Sequence, residues 1–163
     1  MTENACSAPY NNKFDESSEW RTMMDQKVKN AIFNAVKNEP FANAMKIRLV
    51  ELALGYSAVE MVYDPTHMNN IYERAHGGAL FALIDEAFET ASQTDGTIAV
   101  ALNVNVTYVS SPEPGVHLRS VAKRVSQTKK TASYDIRVTD GNDNLIANCS
   151  ALAYRTGKPI PFL

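Results

Sequence analysis

The sequence has few cysteines, no long apolar run and no excess of basic charge. Its two cysteines, Cys6 and Cys149, are too few for a disulfide framework and have no metal-ligand spacing. No apolar run approaches the roughly 20 residues that a membrane span requires. With 16 basic and 18 acidic side chains, the net charge of -2 predicts no broad cationic surface for nucleic acid. These absences argue against a disulfide-stabilised domain, a membrane-spanning helix and nucleic acid as a main partner.

The N-terminal 18 residues differ in composition from the rest of the chain. They are polar, with few large apolar side chains, and lack the basic-then-apolar order of a signal peptide. We therefore expect a flexible leader over residues 1–18 and a cytoplasmic location. The remaining residues, 19–163, are enough for one domain with its own core.

The spacing of apolar residues changes along the chain. It is helical from residue 19 to about Pro40, with apolar residues three or four positions apart at Trp20, Met23, Met24, Val28, Ile32 and Val36. From residue 45 it approaches two, and the runs 47–52 and 56–62 flank Leu54 and Gly55 as in a hairpin. This part of the sequence predicts an N-terminal packing helix followed by two strands.

The second half of the chain predicts a helix and four strands. Residues 77–92 are apolar almost all round the first two turns, which indicates a buried helix. Residues 98–108 alternate, with Ile98, Val100, Leu102, Val104, Val106 and Tyr108 sharing one face. Further strands are predicted over 116–125, 132–139 and 145–154, and the short turns between them predict an antiparallel meander. The fold class is therefore α+β, an antiparallel sheet wrapped around a central helix.

One aspartate lies within the buried helix. Asp85 is surrounded in sequence by large apolar residues, where a carboxylate is costly unless it is hydrogen-bonded or functional. On helical geometry Phe81, Phe88 and Glu89 share its face, which points away from the main core stripe and into a cleft. The alternative is a structural carboxylate, bonded to neighbouring backbone or to an arginine.

The start of the same helix also has two interpretations. Gly77 and Gly78 place N–H groups without intrahelical partners at the positive end of the helix dipole, suited to a developing oxyanion. The alternative is a tight entry from loop to helix. His76 either hydrogen-bonds in the site or caps the helix, and it has no second ligand at a spacing suitable for a metal.

These motifs together resemble those of a known family. Asn70, then His76, Gly77 and Gly78, and then the run 80–88 containing Asp85 resemble the hotdog-fold thioesterases of the phenylacetyl-CoA and 4-hydroxybenzoyl-CoA type. The similarity extends over residues 40–154. The resemblance implies a hotdog fold and hydrolysis of a medium-chain or aromatic acyl-CoA, with coenzyme A as part of the substrate and no separate cofactor.

The resemblance also implies roles for particular residues. Asp85 would be the nucleophile or general base, and the Gly77 N–H would polarise the thioester carbonyl. Asn70 and His76 would hold the helix start and the substrate or water. In this family the subunits pair into homodimers with sites at the interface, commonly as dimers of dimers. A length argument agrees, because Gly77 and Asp85 lie roughly 12 Å apart along a helix, too far to act on one carbonyl within a single chain.

Substrate contacts are predicted outside this core set. Gly78, Phe81 and Glu89 are candidates to contact the substrate near the helix. Arg124, Lys129 and Lys130 would suit the phosphates of coenzyme A, although a solvated turn explains each of the three equally well.

The chain departs from the family pattern at three positions. Glu73 replaces a frequent glycine, Ser110 stands where a basic residue is frequent, and Glu89 stands where a small hydroxyl residue is frequent. Two rival functions stay open, a hotdog dehydratase acting on 3-hydroxyacyl thioesters and a non-catalytic acyl-CoA-binding module. The glycine pair favours the thioesterase over the first, and Asp85 favours catalysis over the second.

Overall fold

The computed structural model describes residues 24–163. The predicted leader, Cys6, Trp20 and Met23 lie outside these residues. The elements in chain order are α1 Gln26–Asn38, α2 Pro40–Met45, β1 Arg48–Ala53, β2 Tyr56–Val62, α3 Pro65–Met68, α4 Gly77–Ser92, β3 Thr97–Tyr108, β4 His117–Gln127, β5 Thr131–Asp140 and β6 Leu145–Pro159. Each strand and the buried helix lie where the sequence predicts them, whereas α2 and α3 are too short to have been recognised.

Helix α1 has sequence-encoded ends. The side chain of Asp25 caps its start by accepting a hydrogen bond of 2.7 Å from the N–H of Lys27. Its buried residues are Val28, Ile32 and Val36. The helix ends before Pro40, because proline disfavours helical geometry in the preceding residue. Pro40 is instead the first residue of α2, a position where proline is favoured.

The six strands form one antiparallel sheet in the order β1-β2-β4-β5-β6-β3. The predicted four-strand meander is therefore wrong for β3, which pairs with β6 rather than with β4. Residues 109–116 are long enough to cross the sheet, and they begin alongside β6, where the N–H of Val109 donates to the carbonyl of Ile146 at 2.9 Å. Strand alternation does not encode which strands become neighbours, so only the β4, β5 and β6 part of the meander is correct.

Strand β3 also corrects the predicted single apolar face. The pairing with β6 shifts register between Ala101 and Asn103. A bulge of this kind interrupts the alternation of faces. The residues at the bulge, 100–103, are all exposed on the edge of the sheet, with Val100 at 48% and Leu102 at 57%, while Val104 and Val106 pack against the core.

The core lies between the sheet and α4. Leu83, Ile84 and Ala87 are fully buried, and the ring of Phe88 packs edge-on against Tyr134 with centroids 5.3 Å apart. The predicted architecture, a sheet wrapped around a central helix, is therefore confirmed, although Phe88 belongs to the core and not to the face of Asp85. Cys149 is buried in β6, and burial raises the pKa of its thiol to about 11. Within residues 24–163, no helix combines the length and hydropathy that a membrane crossing needs.

Candidate active site

Helix α4 is buried on all sides except along one narrow stripe. Eleven of its 16 residues are buried, and those that are not are Gly77, Gly78, Phe81, Asp85 and Glu89. Phe81, Asp85 and Glu89 are spaced by four residues and lie one above the other, and we call them the open stripe of α4. A large apolar ring, 37% exposed, thus lies beside two carboxylates on the side of the central helix that residues 24–163 leave uncovered.

Asp85 is half-buried in the middle of the open stripe. Its carboxylate has no hydrogen-bond or ion-pair partner within residues 24–163, so the contacts of this chain give no support to a structural carboxylate paired with an arginine. Burial raises the pKa of Asp85 above its ordinary value. A partly desolvated, unpaired carboxylate is a stronger base and nucleophile than a solvated one.

The start of α4 leaves a single N–H group available. The N–H of Gly78 donates to Nδ1 of His76 at 2.8 Å, and the N–H groups of Ala79 and Leu80 donate to the carbonyl of His76 at 2.9 and 3.4 Å. The N–H of Gly77 has no acceptor in the described part of the chain. It lies at the positive end of the helix dipole and is therefore suited to an oxyanion.

His76 is the N-cap of α4 in this structure. Because its Nδ1 accepts a hydrogen bond, that nitrogen carries no proton, and the proton of the neutral ring is on Nε2. Of the two roles predicted for His76, the capping contact is the one formed within the described chain. Nε2 remains available to a ligand.

Close side-chain contacts leave little room for a Cβ atom at either glycine. A Cβ atom on Gly77 would lie 3.2 Å from Cζ of Tyr108, and a Cβ atom on Gly78 would lie 3.0 Å from Nδ1 of His76. The hydroxyl of Tyr108 also donates to the carbonyl of Gly77 at 3.0 Å. Sequence reasoning did not find this contact, because Tyr108 lies 31 residues away and its partner is a backbone atom.

Asn70 organises the loop that leads to His76. Its Oδ1 accepts hydrogen bonds from the N–H groups of Tyr72 and Arg74 at 2.8 and 3.2 Å. Its side chain makes no hydrogen bond with the helix start in the described residues, and its Nδ2 is available. Glu73 in this loop has a φ of 56°, a left-handed conformation that favours glycine, which explains why glycine is frequent there in the family.

A second buried carboxylate stands beside Asp85. Glu86 is only 3% exposed, and its Oε1 has no hydrogen-bond partner in the described chain. Burial, with a smaller contribution from the negative charges of Glu39 and Glu89, raises its pKa to about 8. The sequence does carry a signal for Glu86, since it too lies within the apolar run 80–88, but Asp85 alone was singled out.

Glu89 adds a second carboxylate to the open stripe. It is exposed overall, yet desolvation of its carboxylate raises its pKa, and the charges of Glu39 and Asp85 add to the effect. Within residues 24–163 no group of three or more His, Cys, Asp and Glu side chains is arranged to hold a metal ion. Asp85 and Glu89 therefore form an acidic, partly desolvated patch on the open stripe.

The three predicted phosphate-binding cations lie at the other end of the sheet from Gly77. Lys129 and Lys130 occupy the turn between β4 and β5, where Nζ of Lys130 is 3.4 Å from the hydroxyl of Tyr154. Arg124 is half-buried on β4, and a Cβ atom on Gly55 would lie 2.9 Å from its Cζ. This turn lies near the C-terminal end of α4. Thr131, which follows the turn, pairs with Tyr154, and the next residue along β6, Arg155, forms an ion pair with Asp95, three residues after α4 ends. One chain does not bring the cations and Gly77 together.

Gly77 and Asp85 are also separated within one chain. They lie on one continuous helix, eight residues and therefore about 12 Å apart along its axis. A single chain accordingly presents the Asp85 carboxylate and the Gly77 N–H at two different places.

Comparison with known proteins shows which family has this arrangement. The family model of the thioesterase superfamily matches residues 72–147. A relative from Archaeoglobus fulgidus named "Putative esterase" is 34% identical over 151 residues, which cover 91% of this chain and 94% of that protein. The solved structure of the Escherichia coli PaaI protein from the phenylacetic acid degradation operon superposes with a TM-score of 0.79. It is 27% identical and covers 85% of this chain and 99% of its own.

A third comparison involves a structure with a ligand. A Streptococcus mutans protein solved with acetyl CoA bound superposes with a TM-score of 0.66 at 26% identity, over 70% of this chain and 91% of its own. The shared topology and the match of the helix that carries Gly77 and Asp85 agree with the resemblance found in the sequence. The chain belongs to the thioesterase superfamily, a family of thioester hydrolases with the hotdog fold.

Proposed function

We propose that the chain hydrolyses a medium-chain or aromatic acyl-CoA to the free acid and coenzyme A. The observation that carries the proposal is the half-buried Asp85 carboxylate, which has no partner in the described chain and lies on the one uncovered stripe of the central helix. Two relatives support the substrate class. The Escherichia coli relative is named acyl-coenzyme A thioesterase PaaI, and the Streptococcus mutans structure holds acetyl CoA.

The proposed site is shared by two chains. The Gly77 N–H of one chain would stabilise the oxyanion of a thioester that faces Asp85 of the other. The open stripe and the unpaired edge of β3, with exposed Val100 and Leu102, support this assembly, since a second copy would cover both. A homodimer is thus the smallest active unit, and a dimer of dimers is a further possibility that the family resemblance implies.

Two routes are compatible with these groups. In the first, a carboxylate oxygen of Asp85 adds to the carbonyl carbon, the C–S bond breaks, coenzyme A leaves as thiolate, and water hydrolyses the resulting anhydride. In the second, Asp85 takes a proton from water, the hydroxide adds to the carbonyl carbon, and the proton passes to the departing thiolate. Both routes place negative charge on the carbonyl oxygen, where the Gly77 N–H acts.

The remaining predicted residues have supporting roles in this proposal. Nε2 of His76 and Nδ2 of Asn70 are available to orient water or substrate. Phe81 and Glu89 would line the acyl site, and Gly78 leaves space beside it. Lys129, Lys130 and Arg124 would contact the nucleotide of coenzyme A from the partner's side of the interface, and the site would operate in the cytoplasm.

The proposal is tested by thiol release from short, medium, long and aromatic acyl-CoA substrates. Wild type is compared with Asp85→Asn and Asp85→Ala, and Glu113→Gln, an exposed carboxylate in the turn before β4, is the control. We expect turnover of at least one substrate, reduced by about 100-fold or more in both Asp85 variants and unchanged in the control.

The rival functions predict different results. Binding of acyl-CoA without thiol release from any substrate would favour the acyl-CoA-binding module. Interconversion of 3-hydroxyacyl and enoyl thioesters without thiol release would favour the dehydratase. Either result would overturn the proposed hydrolysis.

A further inference from the structure

We propose that Tyr108 is a positioning residue, which holds the peptide between Gly77 and Gly78 so that the Gly77 N–H faces the substrate carbonyl. The inference rests on the proposed function for its catalytic consequence. Tyr108 itself touches no reacting atom in this account. It acts through the backbone at the start of α4.

The peptide between the two glycines is held at both of its polar ends by side chains. Its carbonyl oxygen, that of Gly77, accepts from the Tyr108 hydroxyl at 3.0 Å, and its N–H, that of Gly78, donates to Nδ1 of His76 at 2.8 Å. Adjacent glycines have the widest choice of backbone conformation, so a peptide between them is the one that most needs external fixing. Because the carbonyl and the N–H of Gly77 share one Cα atom, a displacement of Gly77 away from Tyr108 would carry its N–H with it.

The ring of Tyr108 adds a steric constraint to the hydrogen bond. A Cβ atom on Gly77 would lie 3.2 Å from Cζ and 3.5 Å from Cε2 of the ring. The ring therefore closes one side of Gly77, and a carbonyl group has to approach from another side. The absence of a side chain at Gly77 is what permits this packing.

The backbone of Tyr108 is well fixed. It is the last residue of β3 and pairs with Ala147, and the next residue, Val109, donates to the carbonyl of Ile146 at 2.9 Å. Because Ala147 and Ile146 are buried, the main chain that carries Tyr108 is anchored to the core. Tyr108 thereby connects the edge strand of the sheet to the start of the central helix.

The exposure of Tyr108 makes the inference testable. Its side chain is half exposed, and a hydrogen bond in such a position contributes little to stability. Removal of the hydroxyl in Tyr108→Phe should therefore leave the fold intact while releasing the Gly77 carbonyl. If Tyr108 had a purely structural role, its removal would lower Tm and leave kcat unchanged.

The experiment compares Tyr108→Phe and Tyr108→Leu with wild type and with Tyr56→Phe. Tyr56 is the control because its hydroxyl donates to Glu51 at 3.2 Å, in a pair that does not involve α4. For Tyr108→Phe we expect kcat to fall about tenfold with KM within about twofold of wild type and Tm nearly unchanged. Tyr108→Leu, which also removes the ring, should lower kcat further, whereas Tyr56→Phe should keep the wild-type kcat.

A second measurement reports on the backbone directly. The amide resonances of Gly77 and Gly78 should shift or broaden in Tyr108→Phe and not in Tyr56→Phe. If the wild type hydrolyses no thioester but the amide resonances still change in Tyr108→Phe, the proposed function is overturned and the positioning contact stands. Wild-type resonances with wild-type kcat in Tyr108→Phe would overturn the inference, and so would a rise in KM with unchanged kcat.

Discussion

Glu86 provides a quantitative test of how the acidic groups around Asp85 are charged. In the folded protein its pKa is raised to about 8 from an ordinary 4.5, because the side chain is buried beside other carboxylates. The unfolded chain loses this proton near pH 4.5, whereas the folded protein keeps it through neutral pH. Between these two values the folded state binds more protons, so stability falls as pH rises from about 4.5 to about 8 and then levels off.

The size of the effect follows from the pKa difference. At pH 7 the unfolded chain is about 2.5 pH units above the ordinary pKa of Glu86, whereas the folded protein keeps Glu86 protonated. At about 1.36 kcal/mol per unit, this ionisation lowers the free energy of unfolding by about 3 kcal/mol. Glu86→Gln keeps the shape of the side chain and removes the ionisation. We therefore expect the variant to match wild type near pH 4.5 and to exceed it by about 3 kcal/mol at pH 7.

The assay is urea unfolding at one protein concentration, repeated between pH 4.5 and 8.5. Comparable m values would show that the midpoint difference reports stability. Glu113→Gln is again the control, since this carboxylate is exposed and lies in the turn before β4. A Glu86→Gln variant that is less stable than wild type at pH 7, or whose difference is independent of pH, would refute the reasoning by indicating a charged, paired Glu86.

Three further predictions concern the site. Because burial raises the pKa of Asp85, kcat/KM should decline on the acid side through an ionisation above 3.8, and a profile flat down to pH 4 would contradict this. Because Glu89 and Asp85 share the open stripe, an acyl-CoA with a terminal carboxylate should be hydrolysed more slowly than a neutral one of equal length. Glu89→Gln should lower the ratio of kcat/KM for the neutral substrate to kcat/KM for the charged substrate by about threefold or more. An unchanged ratio would contradict this prediction. Lys129→Ala with Lys130→Ala should raise KM for acyl-CoA but not for the matching acyl-pantetheine, and equal effects on both would exclude a phosphate contact.

The sequence was sufficient to predict the six strands and the buried helix, and it identified one segment as the candidate site. Helix and strand positions follow from periodicity, and that is why α4 and all six strands lie where expected. The motif of His76, Gly77 and Asp85 was recognisable because all three belong to one continuous segment. Their local geometry, a cap, a helix start and a position on one helix face, is dictated by sequence separation alone.

Other features depend on contacts between distant segments. The crossing of β3 to pair with β6 and the bulge after Ala101 both depend on the partner strand, which local alternation does not identify. The bond from Tyr108 to Gly77 depends on that same crossing. The charge state of Glu86 depends first on its burial and then on Glu39, which lies 47 residues earlier and approaches α4 only after the helices have packed.

The most direct test of the account is complementation between two inactive variants. Asp85→Asn removes the carboxylate, and Gly77→Pro removes the oxyanion N–H at the first helical position, where proline is favoured and His76 already has a compatible extended backbone. The ring of Tyr108 has to shift by only a few tenths of an ångström. Each variant alone should be folded and at least about 100-fold less active than wild type.

Thiol release by co-expressed variants is the deciding measurement. In a mixed dimer one of the two sites combines an intact Asp85 with an intact Gly77 N–H. Random pairing should therefore restore about a quarter of wild-type activity. Mixed dimers that form, as shown by mass spectrometry, and yet release no thiol above the separate variants would contradict a site shared between two chains.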